Sequence, residues 1–224
     1  MRFLLLCLFC FQCSTCLATT RQIDVGASNN LPLDHPSILL MEKAYQQLGY
    51  QMKLVVMPLE RSAYESNKGL MLDAELSRTA EAAAMLPNMV RVKVPIGHIR
   101  ITAFSRDPAI QIRNWRSLDI WRVDVLRGIY LAKINMQGQQ YTEVNTISQA
   151  IQRLLSGRTD IAVLLGDETE WLLKQQAYQG IYTIAPDLAK TEIFHYVHER
   201  HAALVPQLEA ALRQLTVYRF SGKT

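Results

Sequence analysis

The sequence predicts an α/β protein of two lobes, the second inserted into the first, and three observations carry that prediction. Short extended apolar runs alternate with helix-patterned stretches, the order that builds a parallel sheet covered by helices. The character of the chain resets near Asp107-Pro108, after which a second series of the same alternation begins. The composition, 49% hydrophobic and 20% charged over 224 residues, is that of an ordinary globular chain long enough for one large or two small domains.

The elements follow in order. Ile23-Asp24-Val25-Gly26 reads as a first strand, with a turn through Asn29-Asn30-Leu31-Pro32. Pro36 suits the start of a helix to Leu48, with Ile38, Met41, Tyr45 and Leu48 on one face and Gly49 as the stop. Residues 52–57 are a strand, 60–68 a helix opened by Pro58 and ended by Gly69, 70–76 a third strand, and 78–86 a third helix closed by Pro87-Asn88. Two extended segments, 90–94 and 99–105, complete the first series. The second series has strands over 121–126, 141–144 and 160–165, with helices from Gly128 through Ile134, over 148–155 and over 168–178. Extended segments at 181–184 and 193–197 and a helix over about 202–215 close the chain.

The first residues have another purpose. Met1-Arg2 is a short positive start, residues 3–11 are almost unbroken apolar, and Ser14-Thr15-Cys16-Leu17-Ala18 is a small-residue stretch before a polar chain. That is the order of a secretory signal, so residues 1–18 are read as a signal peptide cleaved after Ala18 and the remainder as periplasmic. The run is too short for a spanning helix, which needs about 20 apolar residues. All four cysteines (Cys7, Cys10, Cys13 and Cys16) lie inside it, at a spacing that superficially suggests an iron–sulfur or zinc site but in a segment that is discarded. A lipid anchor would need a leucine before the cysteine, which Cys13-Ser14-Thr15-Cys16 lacks, so no stable membrane anchor is expected. With no cysteine left, neither disulfides nor thiol catalysis enter the expectation.

The net charge of +4 includes Arg2, leaving +3 on the mature chain, and the basic residues are scattered. That argues against nucleic acid as a partner. No G-x-S-x-G, H-E-x-x-H, P-loop or G-x-G-x-x-G occurs, and no cofactor is expected. His195, His198 and His201 resemble a ligand cluster, but three-residue steps put His195 and His198 on opposite faces of a strand.

The order of the elements resembles the bacterial family 3 extracellular solute-binding proteins, which collect amino acids and similar polar solutes for ABC transporters. The resemblance spans nearly the whole mature chain. It is carried by Gln47-Leu48-Gly49-Tyr50; by Pro58-Leu59-Glu60-Arg61 through Lys68-Gly69 and Leu72-Asp73-Ala74-Glu75; by Arg78; by Trp115-Arg116-Ser117-Leu118; by Val123-Asp124-Val125-Leu126-Arg127-Gly128; and by the stretch 151–162. It implies a two-lobed periplasmic-binding-protein fold of type II, each lobe a mixed, mostly parallel sheet flanked by helices. Lobe one would be 19–104 plus 186–224 and lobe two 105–185, with crossings near Ala103-Phe104-Ser105 and Thr183-Ile184-Ala185. It implies a protein that is not an enzyme, closing by a hinge on a small polar solute, anionic or zwitterionic, for an ABC permease or a membrane sensor. Two alternatives stay open: a dehydratase-like enzyme on this scaffold, with acid pairs such as Asp167/Glu168 or Asp73/Glu75, and a degenerate scaffold that binds a protein.

In open α/β sheets ligands bind beyond the carboxyl ends of the strands, where helix N-termini present free N–H groups. Arg78 is expected just past a strand end, at a helix start, where a guanidinium forks onto a carboxylate; a solvated surface arginine is the other reading. Asp73 and Glu75, two apart, share a strand face and either reach the cleft or bracket Arg78. Arg61 and Tyr64 either line the same mouth or belong to an ordinary amphipathic helix. From lobe two, Gly128 and Tyr130 sit at a strand-to-helix turn suited to holding a carboxylate. Asp167, displaced from the family's pattern, is the nearest fit to the acid that takes a ligand ammonium.

Overall fold

The computed structural model describes residues 21–176 and 178–221, so the signal segment 1–18 lies outside the described residues. Eight strands and six α-helices alternate: β1 (Arg21–Ser28), α1 (Pro36–Gln47), β2 (Tyr50–Met57), α2 (Leu59–Lys68), β3 (Ala74–Thr79), β4 (Met89–Ser105), β5 (Val123–Leu126), α3 (Tyr130–Asn135), β6 (Thr142–Val144), α4 (Ile147–Leu155), β7 (Ile161–Leu165), α5 (Gly166–Gln175), β8 (Tyr182–His198) and α6 (Val205–Ser221). Local signals set the first helices. Pro36 stands at the start of α1, behind His35, whose Nδ1 accepts from the Ser37 N–H. Gly69, at φ 66°, ends α2 in the left-handed conformation that only glycine adopts cheaply.

The strands form one sheet in the order β2-β1-β3-β8-β4-β7-β5-β6. β1 pairs parallel with β2 and β3, and β5 parallel with β6 and β7, while β4 and β8 run antiparallel through the middle. Each of these long strands was expected as two pieces. Pro95 and Gly97 break the pattern of β4, but the strand passes through at register shifts between Arg91, Pro95 and Gly97, where the missing proline N–H is tolerated. In β8, Ala189 pairs with Ile101 of β4 and Ile184 with Ala103, so residues 185–188 leave the ladder.

Two apolar cores flank this spine. One holds Ile23, Val25, Met41, Leu76, Val197 and Leu208; the other holds Phe104, Leu118, Leu126, Ile151, Val163 and Ile184. Ile99 packs against both. The changeover therefore falls near Ile99 on β4 and between Ala189 and Ile193 on β8, nearer the first lobe than Ala103-Phe104-Ser105 and Thr183-Ile184-Ala185.

The third helix departs from the sequence expectation. Residues 74–79 continue as β3 and only Ala80–Met85 curl, as a 3-10 helix. Arg78 accordingly sits in a strand rather than at a helix start.

Candidate ligand-binding cleft

The two lobes meet over a partly open cavity. It is walled by β3 and the β1–α1 turn on one side, by the β5–α3 turn and the start of α5 on the other, and floored by Ile99 and Ile101 of the spine. Space open to the centre of a water molecule is about 70 Å³. The lobes touch in this form. The Ile147 N–H at the start of α4 donates to Asn30 Oδ1 at 3.3 Å, and Arg127 stands 3.8 Å from Glu60. Gly128 lies so close to the first turn of α2 that a Cβ there would come 2.8 Å from the Glu60 nitrogen. Its φ of 94° independently favours glycine.

The first-lobe wall is built around Glu75 and Arg78. Residues three apart on a regular strand point to opposite faces, but the ladder between β3 and β8 shifts register between Glu75 and Arg78. That turns the two side chains together, with Arg78 Nη2 2.6 Å from Glu75 Oε1. Both are buried, and Arg78 also donates to the Leu59 carbonyl. Ser62 and Ser66 on α2 donate to Glu75 Oε2 at 2.6 and 2.9 Å. Gly26 on β1 makes room: a Cβ there would press on Ser62 Oγ at 2.6 Å. Two donors are left over, since buried Arg78 Nε and Thr79 Oγ1 have no hydrogen-bond partner among the described residues. Both residues line the cavity.

The second-lobe wall presents Gly128 and Tyr130, as the sequence suggests, and Glu168. Glu168 is 7% exposed and has no cation within ion-pair distance among the described residues. Burial pushes its carboxyl above the usual range, against its own backbone N–H; Asp167 adds to the rise and Arg100 opposes it. His35 lines the opposite wall. Burial lowers its pKa, while Asp167 and Asp34 work the other way.

Several expected residues lie elsewhere. Asp73 precedes β3 and belongs to a structural knot: its Oδ2 accepts from the Asp24 N–H at 2.8 Å, and its Oδ1 takes Arg200 and His201. It therefore does not share a cleft face with Glu75. Arg61 reaches Glu65 at 3.7 Å, and Lys68 stands over the Tyr64 ring at 4.4 Å. Both Arg61 and Tyr64 line an exposed outer groove beside α2, because the face of that helix turned to Glu75 carries its serines. Asp167 is 63% exposed and pairs with Arg100 at 2.9 Å; the first turn of α5 swings it out and brings Glu168 in. Glu168 was visible to sequence reasoning only as half of an acid pair. Its selection required the start of α5 to fall at Gly166. With Asp73 and Asp167 turned away and Glu75 held by its serines and arginine, the acid pairs do not converge on one point. Of the three histidines, His195 is fully buried under Tyr45, whose hydroxyl lies 2.7 Å from its Nε2.

No family model matches the chain. An uncharacterized protein of Shewanella oneidensis is 27% identical over 187 residues, covering 79% of this chain and 69% of its own. Among solved structures, an arginine-bound, truncated ArgBP from T. maritima aligns over 88% of this chain and 98% of its own at 16% identity, with a TM-score of 0.72. A histidine kinase sensor domain with similarity to periplasmic binding proteins aligns over 88% and 91% at 17% identity, with a TM-score of 0.73. An ancestral arginine-binding protein bound to glutamine covers 87% and 92% at 17% identity, with a TM-score of 0.72. These likenesses define the fold: the chain has the two-lobed architecture of the type II periplasmic binding proteins.

Proposed function

We propose that this chain is a periplasmic solute-binding protein, not an enzyme, that closes its lobes on a small polar solute carrying an ammonium group. The observation that carries the reading is the pairing of unmet needs across one cavity. Glu168 on the second lobe is a buried carboxylate without a cation, and Arg78 Nε and Thr79 Oγ1 on the first are buried donors without an acceptor. A buried polar group left unpaired costs free energy, of order 1–3 kcal/mol each, so a ligand that completes all three stabilises the closed form. A zwitterion meets these needs better than a simple anion, whose charge would face Glu168.

The arginine-binding neighbours and the sensor-domain neighbour support this use of the fold, and with it the two membrane partners it could serve, an ABC permease or a sensor. Export through the segment 1–18 belongs to the same proposal. Among the described residues no helix is long and apolar enough to cross a membrane.

The test is a thermal-shift screen of the purified protein against amino acids, amino alcohols, amino amides, organic acids, polyamines and short peptides. A ligand at 100 times its Kd stabilises by about 2.7 kcal/mol, a Tm rise of a few degrees at this size. The expected result is a hit that Glu168→Gln loses. No hit across those classes would sink solute binding and favour a degenerate scaffold that docks a protein.

A further inference from the structure

The charges on the two walls do not cancel, and their imbalance bears on the ligand. Resting on the solute-binding reading above, we propose that the ligand carries a net positive charge: a small primary amine whose second polar group is uncharged, such as an amino amide or amino alcohol, rather than an α-amino acid.

Among the described residues Arg78 is the one guanidinium that lines the cavity. Its charge is already matched by Glu75 at 2.6 Å, and Glu75 is fixed in place by two serine hydroxyls and closed over by Gly26. Swinging Glu75 away to free the guanidinium would strand a buried carboxylate, which is strongly unfavourable. Arg78 Nη2 is taken by Glu75 and the Leu59 carbonyl, while Nη1, Nε and the Thr79 hydroxyl have no hydrogen-bond partner among the described residues. Donors on a guanidinium whose charge is already matched suit a neutral acceptor, a carbonyl or hydroxyl oxygen. A carboxylate is best held by an uncompensated positive charge, and here Glu75 already compensates Arg78.

Glu168 then sets the sign. The other ionisable side chains on the cavity wall are His35 and Tyr130. Burial favours neutral His35. Arg100, whose charge acts on Glu168, is shared among Asp167 at 2.9 Å, Glu170 at 2.8 Å and Asp187 at 3.4 Å. The lining is thus negative by one carboxylate, with more acid than base behind it. A monocation neutralises it, a zwitterion leaves it uncompensated, and an anion adds to it. Opposite charges a few ångströms apart in a water-poor site differ by several kcal/mol from like ones. The remaining lining is largely aliphatic, with Leu31, Leu59, Leu76 and Leu165 among it, and the cavity is small, so a short apolar body fits between the two polar ends.

The experiment uses matched compounds that differ only in charge: glycine, alanine, serine, valine and leucine, the primary amide of each, and the N-acetyl amide of each. Binding to the purified protein is measured by calorimetry at pH 7. The expected result is that the amides bind at least about tenfold tighter than their free amino acids. The N-acetyl amides, which lack the ammonium, do not bind, and Glu168→Gln removes the preference. Glu75→Gln, which leaves the Arg78 charge unmatched, shifts the preference toward the free amino acids; if that variant does not fold, the ratios in the unmodified protein and in Glu168→Gln still decide. Free amino acids binding as tightly as their amides, or tighter, would overturn the cation proposal and leave solute binding standing. So would a silent panel accompanied by an organic-acid hit in the wider screen. Silence in both would overturn the two together.

Discussion

Two buried glutamates, Glu75 and Glu168, line the same cavity and have opposite surroundings. Glu75 accepts from Ser62 and Ser66 and pairs with Arg78, so its charge is spent within the first lobe. Glu168, on the second lobe, has no such partner among the described residues, and burial raises its carboxyl. The first is architecture: it fixes α2 against β3 and holds an arginine that would otherwise be an anion trap. The second faces the cavity with its charge unmatched by any side chain among the described residues. Burial alone therefore does not distinguish the two acids; the missing partner does.

The largest expected effect tests the architectural half. Glu75→Ala strands the Arg78 guanidinium and two serine hydroxyls, and breaking a buried pair in this way costs about 3–5 kcal/mol in urea unfolding. Glu168→Ala, by contrast, should leave stability unchanged or raised, and equal losses for the two would erase the distinction.

A pH series sharpens it further, because two buried groups push stability in opposite directions. His195, fully buried with Nδ1 3.1 Å from the Leu76 carbonyl, is held neutral by burial, its pKa lowered to about 4. Below pH 6.5 the unfolded chain takes up a proton that the folded one refuses, so stability falls from there down to about pH 4. The loss amounts to about 3 kcal/mol, and His195→Gln should flatten it. Glu168 has the reverse sign. Its raised pKa makes its contribution most favourable below pH 4.5 and progressively worse as pH rises through the folded value. The stability gain of Glu168→Gln should therefore be visible at neutral pH and shrink as pH falls to 4.5, measured by unfolding at each pH.

Smaller effects separate closure from the charges. Gly128→Ala strains a φ of 94° and sets a Cβ 2.8 Å from the Glu60 nitrogen. It should cost about 1 kcal/mol in stability and, by propping the lobes apart, weaken ligand binding more than that, read by comparing Tm with Kd. Asp73→Asn loosens the contact with Arg200 and His201 outside the cleft. The expected change is about 1 kcal/mol in stability with ligand affinity untouched.

Much of the fold was legible in the chain. Pro36 and the glycines after α1 and α2 fixed helix ends, and the alternation of elements implied the sheet with its parallel flanks. The spine was not legible, because Pro95 and Gly97 look like strand breakers until β8 lies beside them and absorbs the irregularity. Of the residues expected at a cleft, Arg78, Glu75, Gly128 and Tyr130 line the cavity, each placed beside a strand end. Asp73, Arg61, Tyr64 and Asp167 were not separated from them, since a residue's type and spacing leave open which way a loop or a helix's first turn points it.

By itself, then, the sequence determined the two-lobed α/β architecture and the strand ends where a cleft would form, because periodicity and turn chemistry act over a few residues. Only the tertiary structure decided which acids face the cavity. The bulge in β3 that turns Glu75 to Arg78, and the start of α5 that hides Glu168 and exposes Asp167, are set by packing against distant strands and helices, and the balance of charge inside the cavity follows from them.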